Sequence, residues 1–224
     1  MEQEFKGQVV VVTGSAGALG RAVAARFRAA GALVVGFDRV AADGATVVDL
    51  LDAAATRRAV DAAAEQHGGI HVVCNIAGGF TMGETAESLA SGREWSAMFD
   101  MNVTTLLHIA AATVPHLKRT RGAMVNIGAA SALSGKAQMG AYVAAKSAVI
   151  RLTETLSAEL REQGVNVNCV LPSIIDTPAN RKDMPKADPS RWVAPGDLAD
   201  VILFLASGRA RAVHGAAVPV TGLS

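Results

Sequence analysis

Val9-Val10-Val11-Val12-Thr13-Gly14-Ser15-Ala16-Gly17-Ala18-Leu19-Gly20 governs how the rest of this chain is read. Four valines in a row, with no polar alternation, describe a strand buried on both faces, as in a parallel sheet covered by helices. The small residues that follow let the backbone turn tightly before a helix. Free N–H groups and the dipole at that helix's start attract the negative charge of a diphosphate. Gly14, Ser15, Ala16, Gly17, Ala18 and Leu19 are therefore candidates for holding a dinucleotide, although a glycine-rich turn alone is also compatible with a purely structural role.

Outward from this turn, the same alternation repeats. Strand-like runs fall at Gln8–Thr13, Ala32–Asp38, Ala45–Asp49, Ile70–Ile76, Ala123–Ile127, Val165–Leu171 and Ala216–Val220. Alanine-rich segments of helical length lie between them, near Leu19–Ala30, Ala53–His67, Gly92–Arg119, Ala141–Gln163 and Pro195–Ala206. Gly31, Gly68, Gly122 and Gly164 follow four of these, where helix ends favour glycine. The pattern predicts one α/β domain over residues 1–224, a Rossmann-like three-layer αβα sandwich with a seven-stranded parallel sheet. About residues 1–120 are expected to form its dinucleotide-binding half, and about 121–224 a catalytic and substrate-loop half. The long irregular stretch from Pro172 to about Pro195 contains five prolines and follows the carboxyl end of a strand, where open α/β sheets bind ligands.

Composition removes several classes of function. The formal net charge is +1 and no basic stripe is evident, so no electrostatic argument supports a nucleic-acid partner. No apolar run approaches the length of a membrane span, and Met1–Lys6 lacks a secretory pattern, so a cytoplasmic protein is expected. Cys74 and Cys169 both fall in apolar strand-like runs, which suggests reduced core thiols rather than a disulfide or a metal site.

Two further features carry chemistry. The second strand ends at Asp38, eighteen residues beyond Gly20, where a carboxylate can accept hydrogen bonds from the adenosine ribose hydroxyls. It would repel a 2′-phosphate and so favours NAD, whereas the guanidinium of Arg39 could pair with that phosphate and leaves NADP open. The only tyrosine, Tyr142, is followed four residues later by Lys146, a helical spacing that puts both on one face. An ammonium held near a phenol lowers its pKa, which would make Tyr142 a usable proton donor or acceptor.

These motifs resemble, over essentially the whole chain, the short-chain dehydrogenase/reductase family. The turn is similar to its TGxxxGxG, with Ala18 replacing the middle glycine. Asp49-Leu50 resembles the pair that touches adenine, and Asn75-Ile76-Ala77-Gly78 resembles NNAG, with Ile76 replacing the second asparagine. Asn102 falls where the family has a helix asparagine supporting a water-linked proton path to the lysine. Tyr142 and Lys146 match YxxxK. Pro172-Ser173-Ile174-Ile175-Asp176-Thr177 resembles the PGxxxT segment that contacts the nicotinamide carboxamide. The resemblance implies catalytic roles for Tyr142, Lys146 and Asn102. It implies cofactor contacts from Asp49, Leu50, Asn75, Ala77, Gly78, Tyr142, Lys146, Pro172, Ile174 and Thr177, and no metal.

The family's serine, thirteen residues before the tyrosine, is Ala129 here. The dihydropteridine reductase branch also has alanine there. Gly17-Ala18-Leu19-Gly20 resembles its GALG turn, and Ala77-Gly78-Gly79-Phe80 its AGGW. The run from Asp176 through Asp188 to Trp192 resembles its DTPxNRKxMPxADxxxW. Asn102 and Thr13-Gly14 follow the general family instead. The resemblance implies NADH-dependent reduction of a small, conjugated, electron-poor molecule, with quinonoid dihydropterin as first candidate. The alternatives are a general NAD(P)-dependent alcohol or carbonyl dehydrogenase, with Ser131 or a water replacing the lost donor, and a non-catalytic NAD-binding protein. The resemblance also implies a homodimer or homotetramer formed through the two long helices.

Overall fold

The computed structural model describes residues 3–42 and 44–224. The valine run forms β1 (Val9–Thr13), every residue of which is buried. It leads through the glycine turn into α1 (Ala18–Ala29), β2 (Leu33–Asp38), β3 (Ala45–Val47), α2 (Ala53–His67) and β4 (Val72–Asn75). Two short helices, α3 (Thr85–Ser91) and α4 (Arg93–Phe99), precede α5 (Thr105–Thr120) and β5 (Ala123–Ile127). The second half continues with α6 (Gly140–Leu160), β6 (Asn166–Pro172), α7 (Pro178–Asp183), α8 (Pro195–Ala206) and β7 (Ala217–Val220).

All neighbouring strands pair in parallel, in the order β3-β2-β1-β4-β5-β6-β7. The expected seven-stranded αβα sandwich is therefore what the chain forms. Helices α1 and α8 pack together on one face, over Val10, Val12, Phe27 and Leu198. Helices α2, α5 and α6 cover the other face, over Val11, Val73, Ile109 and Val149. After β3 the chain crosses to the opposite side of β1, so β1 and β4 flank a topological switch point, where such sheets open a crevice at their carboxyl ends. Both cysteines are buried and unpaired, as expected of core thiols.

Two expectations are corrected. The predicted helix Gly92–Arg119 is not uniform: α4 passes into a π-helical turn, Asp100–Thr104, before α5 begins. One turn wound too widely is common at functional sites, and this one carries Asn102. Gly122 does not cap its helix either. Arg121 takes the left-handed position, with φ of 52°. Gly122 is glycine because a β-carbon there would collide with the carbonyl of His71.

Candidate active site

A cleft of about 1350 Å³ opens at the carboxyl ends of β1, β4, β5 and β6. Its floor begins at the glycine turn. Gly14 has φ of +63°, and a β-carbon there would lie 3.0 Å from the backbone of Ala77. The Thr13 hydroxyl accepts a 3.0 Å hydrogen bond from the Ala77 N–H, tying the end of β1 to the turn after β4. At the start of α1 no side chain caps the free N–H groups, and the first turn holds no acidic residue. Gly14, Ala16, Gly17, Ala18 and Leu19 line the cleft beside that helix end. An uncapped helix start next to bare backbone suits a diphosphate.

Ser15 is placed differently. Its hydroxyl is buried, makes no hydrogen bond to a described residue, and packs where a β-carbon on Gly36 of β2 would have to sit. Spacing alone cannot show this, because the side chain's direction is set by the neighbouring strand. Asp38 lines the cleft with Arg39, Asp49 and Leu50. Its two carboxylate oxygens accept from the N–H groups of Ala16 (2.9 Å) and Val40 (3.1 Å). A carboxylate offers about four lone-pair sites, so it can hold the turn and still receive ribose hydroxyls. The residues present thus fit a dinucleotide.

Beneath this floor runs a buried polar chain. Asn75 donates to Asn126 at 2.7 Å, and Asn126 donates to Thr153 of α6 at 2.9 Å. Asn75 and Asn102 line a small internal cavity rather than the cleft. The side chain of Asn102 is committed to structure: it donates to the carbonyls of Gly79 (3.1 Å) and Met98 (2.9 Å) and accepts from the Gly79 N–H (3.2 Å). Gly78 lies between this amide and Lys146, with Ala77 and Gly78 on the cleft wall.

Tyr142 and Lys146 both line the cleft from α6, as their spacing predicts. The expected electrostatic pairing does not appear. Lys146 is buried, and its ammonium donates to the carbonyl of Ile127 at 2.8 Å. Burial pushes the Tyr142 phenol up to about 12, so desolvation outweighs any help from the lysine. Burial also draws Lys146 down to about 8, with the neighbouring Cys169 thiol acting weakly in the opposite sense. At neutral pH this keeps Tyr142 a protonated phenol.

Lys146 has a consequence for stability. Below about pH 8 it is charged both folded and unfolded, and the folded state carries the full burden of burying that charge. As pH rises above 8 the folded lysine loses its proton while the unfolded one keeps it until about 10.4, so stability should rise. Buried thiols and the phenol, whose folded values are raised, act oppositely from about pH 9 upward. The lysine contribution is isolated by comparison with Lys146→Met. From pH 7 to 9.5 the wild type should gain on the order of 2 kcal/mol relative to that variant in chemical denaturation. A constant difference between the two proteins would show that the buried ammonium is not what titrates.

Ala129 is 3% exposed, extended (φ −157°, ψ 143°), and lies on the cleft wall where a hydroxyl is absent. Ser131 and Ser134 also line the cleft, from the short 3₁₀ turn Ala130–Leu133 and the residue that follows it. Pro172 and Ile174 line it from the start of the long Pro172–Pro195 loop. Thr177 does not. Its hydroxyl caps α7 by accepting from the Asn180 N–H at 3.2 Å. The loop is otherwise ordered by Arg181, which grips both oxygens of Asp176 at 2.6 and 2.8 Å, and by Asn180 donating to the Ile175 carbonyl at 2.7 Å.

An apolar wall was not foreseen from sequence. Phe80, Met82, Met101, Met139 and Met184 all face the cleft, and Phe80 meets Tyr142 edge-on with ring centroids 4.8 Å apart. Four of the seven methionines converge there from four separate segments, so no local pattern could announce them.

Residues 8–188 match the family model described as short chain dehydrogenase. The chain belongs to that family. Meso-2,3-butanediol dehydrogenase of Serratia marcescens is 32% identical, over 97% of this chain and 94% of its own length. Among solved structures, aldohexose dehydrogenase of Thermoplasma acidophilum superposes with a TM-score of 0.90 at 27% identity, covering 100% of this chain and 96% of that one. Carveol dehydrogenase from Mycobacterium avium, solved in complex with NAD, gives 0.88 at 25% identity over 98% of each chain. This short-chain dehydrogenase is accordingly an NAD(P)-dependent oxidoreductase acting on a small molecule.

Proposed function

We propose that this short-chain dehydrogenase uses NADH to reduce a flat, conjugated, electron-poor substrate, with quinonoid dihydropterin as the first candidate. The observation that carries the reading is Ala129: at the position facing the reacting group the chain offers a methyl instead of a hydrogen-bond donor. When bound, NADH supplies the hydride. Tyr142, held protonated by burial, delivers the proton, and Lys146 holds the nicotinamide ribose. Asn102 acts by fixing the Gly78–Gly79 turn, which Lys146 approaches at Gly78. A quinonoid ring recovers conjugation on reduction, so it depends less on a second donor than a simple ketone does. The wall of Phe80 and methionines suits a flat, polarisable ring, since thioethers adapt to aromatic outlines.

In the same reading, the turn Gly14–Leu19 holds the pyrophosphate, Asp38 the adenosine ribose, and Asp49 and Leu50 the adenine. Pro172 and Ile174 face the nicotinamide. Asp38 favours NADH over NADPH. Assembly as a homodimer or homotetramer through α5 and α6 draws support from the outward-facing Leu107.

A second reading, a general alcohol or carbonyl dehydrogenase, is favoured by the relatives' names and by Ser131 and Ser134 on the cleft wall. A panel run with both NADH and NADPH separates them. Chemically generated quinonoid dihydropterin should turn over briskly with NADH, and Ala129→Ser should change this little. Simple ketones should be poor substrates that gain from Ala129→Ser, by up to about a hundredfold if the new hydroxyl reaches the carbonyl. Fast ketone turnover by the parent, with none of the pterin, overturns the leading reading.

A further inference from the structure

The substrate loop leaves β6 at Pro172 and returns to α8 at Pro195, and both ends of it touch one short segment, Thr221–Ser224, that follows β7. At the near end the Ser173 N–H donates to the Val220 carbonyl at 3.2 Å. The Ser173 hydroxyl donates to the Thr221 carbonyl at 2.7 Å and lies 2.8 Å from the Ser224 hydroxyl. At the far end Leu223 and Arg191 bond reciprocally: the Leu223 N–H donates to the Arg191 carbonyl at 2.9 Å, and the Arg191 guanidinium donates to the Leu223 carbonyl at 2.7 Å. Between these contacts Gly222 turns the segment with φ of +58°. A β-carbon there would lie 2.9 Å from the Arg191 carbonyl and 3.2 Å from that of Trp192. The segment lies this close to the loop because residue 222 is glycine.

We infer that Ser173 and Arg191 are positioning residues that clamp the two ends of the substrate loop through Thr221–Ser224. The clamp sets the distance between the Pro172–Ile174 wall and the rest of the cleft. Apart from it, the loop's neck is closed by the ladder in which Val193 N–H donates to Ile174 and Asp176 N–H to Val193. Beyond the neck the loop is ordered by Asn180 donating to the Ile175 carbonyl and by two contacts at the surface, the Asp176–Arg181 pair and the Asp188–Ser190 turn. Surface contacts of that kind hold a loop weakly. Ser173 and Ser224 themselves line the cleft, as do Asn180 and Met184 farther along the loop. Holding both ends against the same backbone therefore pre-organises one whole side of the site, and pre-organisation lowers what binding must spend on ordering.

The inference rests on the reading that Pro172 and Ile174 face the nicotinamide. Its test pairs Ser173→Ala with Gly222→Ala, which attack the clamp from inside and outside the cleft, and uses Ser173→Thr as the conservative control. NADH affinity is followed by fluorescence titration, together with kcat, KM, melting temperature and hydrogen–deuterium exchange. Both alanine variants should raise Kd and KM for NADH by roughly fivefold, the weight of one lost hydrogen bond, with the larger effect on KM than on kcat. Exchange should quicken across Ser173–Trp192 while the sheet stays protected, and Ser173→Thr should restore binding. Unchanged NADH affinity and loop exchange in both alanine variants overturns the clamp, and so does a fall in melting temperature with no change in affinity. Tyr142→Phe, run alongside, keeps the two ideas apart. If it turns over like the wild type, the active-site reading fails while the binding and exchange data still judge the clamp.

Discussion

Tyr142→Phe should lower kcat by about 10²- to 10⁴-fold, the usual worth of a positioned proton donor, and leave the melting temperature close to that of the parent. The substitution removes one oxygen and keeps the ring. The ring is what packs against the core and meets Phe80 at 87°, so those contacts survive. Among the described residues the phenol oxygen has no hydrogen-bond partner, so the fold loses no bond with it. Cofactor affinity should fall far less than turnover, since burial of the ring is undisturbed. Steady-state kinetics with the best substrate of the panel, beside an NADH titration, reads both quantities. Turnover equal to the parent's would remove Tyr142 from the mechanism.

Gly78→Ala should be nearly as damaging, for a steric reason. A β-carbon on residue 78 would lie 2.7 Å from the Asn102 amide oxygen and 3.4 Å from the Lys146 nitrogen. Neither neighbour is free to retreat: Asn102 is bonded to Gly79 and Met98, and Lys146 to Ile127. The turn must therefore shift, and it forms the wall between the cleft and the π-helical turn. Displacements of about 1 Å at reacting groups can reduce rates by a hundredfold, and overpacking typically destabilises by about 1–3 kcal/mol. We expect kcat/KM to drop by roughly a hundredfold, with a measurable loss in denaturant stability. A variant with near-parental kinetics would mean that the contact of residue 78 with Asn102 and Lys146 does not set the catalytic geometry.

Much of the frame was legible because its causes are local. The valine run of β1 announces a strand buried on both sides, and the glycines around it announce a tight turn. Spacing i, i+4 brings Tyr142 and Lys146 to one side of α6 whatever the rest of the chain does. The π-helical turn at Asp100–Thr104 was not legible, because apolar periodicity reads the same through one widened turn. The reason residue 122 is glycine is not legible locally, because the pressure on it comes from His71, some fifty residues away.

By itself, then, the amino-acid sequence determined the order of strands and helices, the glycine turn after β1, the acid at the end of β2 and the tyrosine–lysine pair on one helix. Each follows from backbone preference, periodicity or spacing within one segment. Only the tertiary structure decided what those groups do to one another. Lys146 serves the Ile127 carbonyl, Ser15 turns toward β2, Asn102 grips Gly79, and four methionines line the cleft that Tyr142 also faces. Burial, which depends on every neighbouring element at once, sets the protonation of the tyrosine–lysine pair. It keeps the phenol protonated near neutral pH, against what the pair's spacing alone suggests.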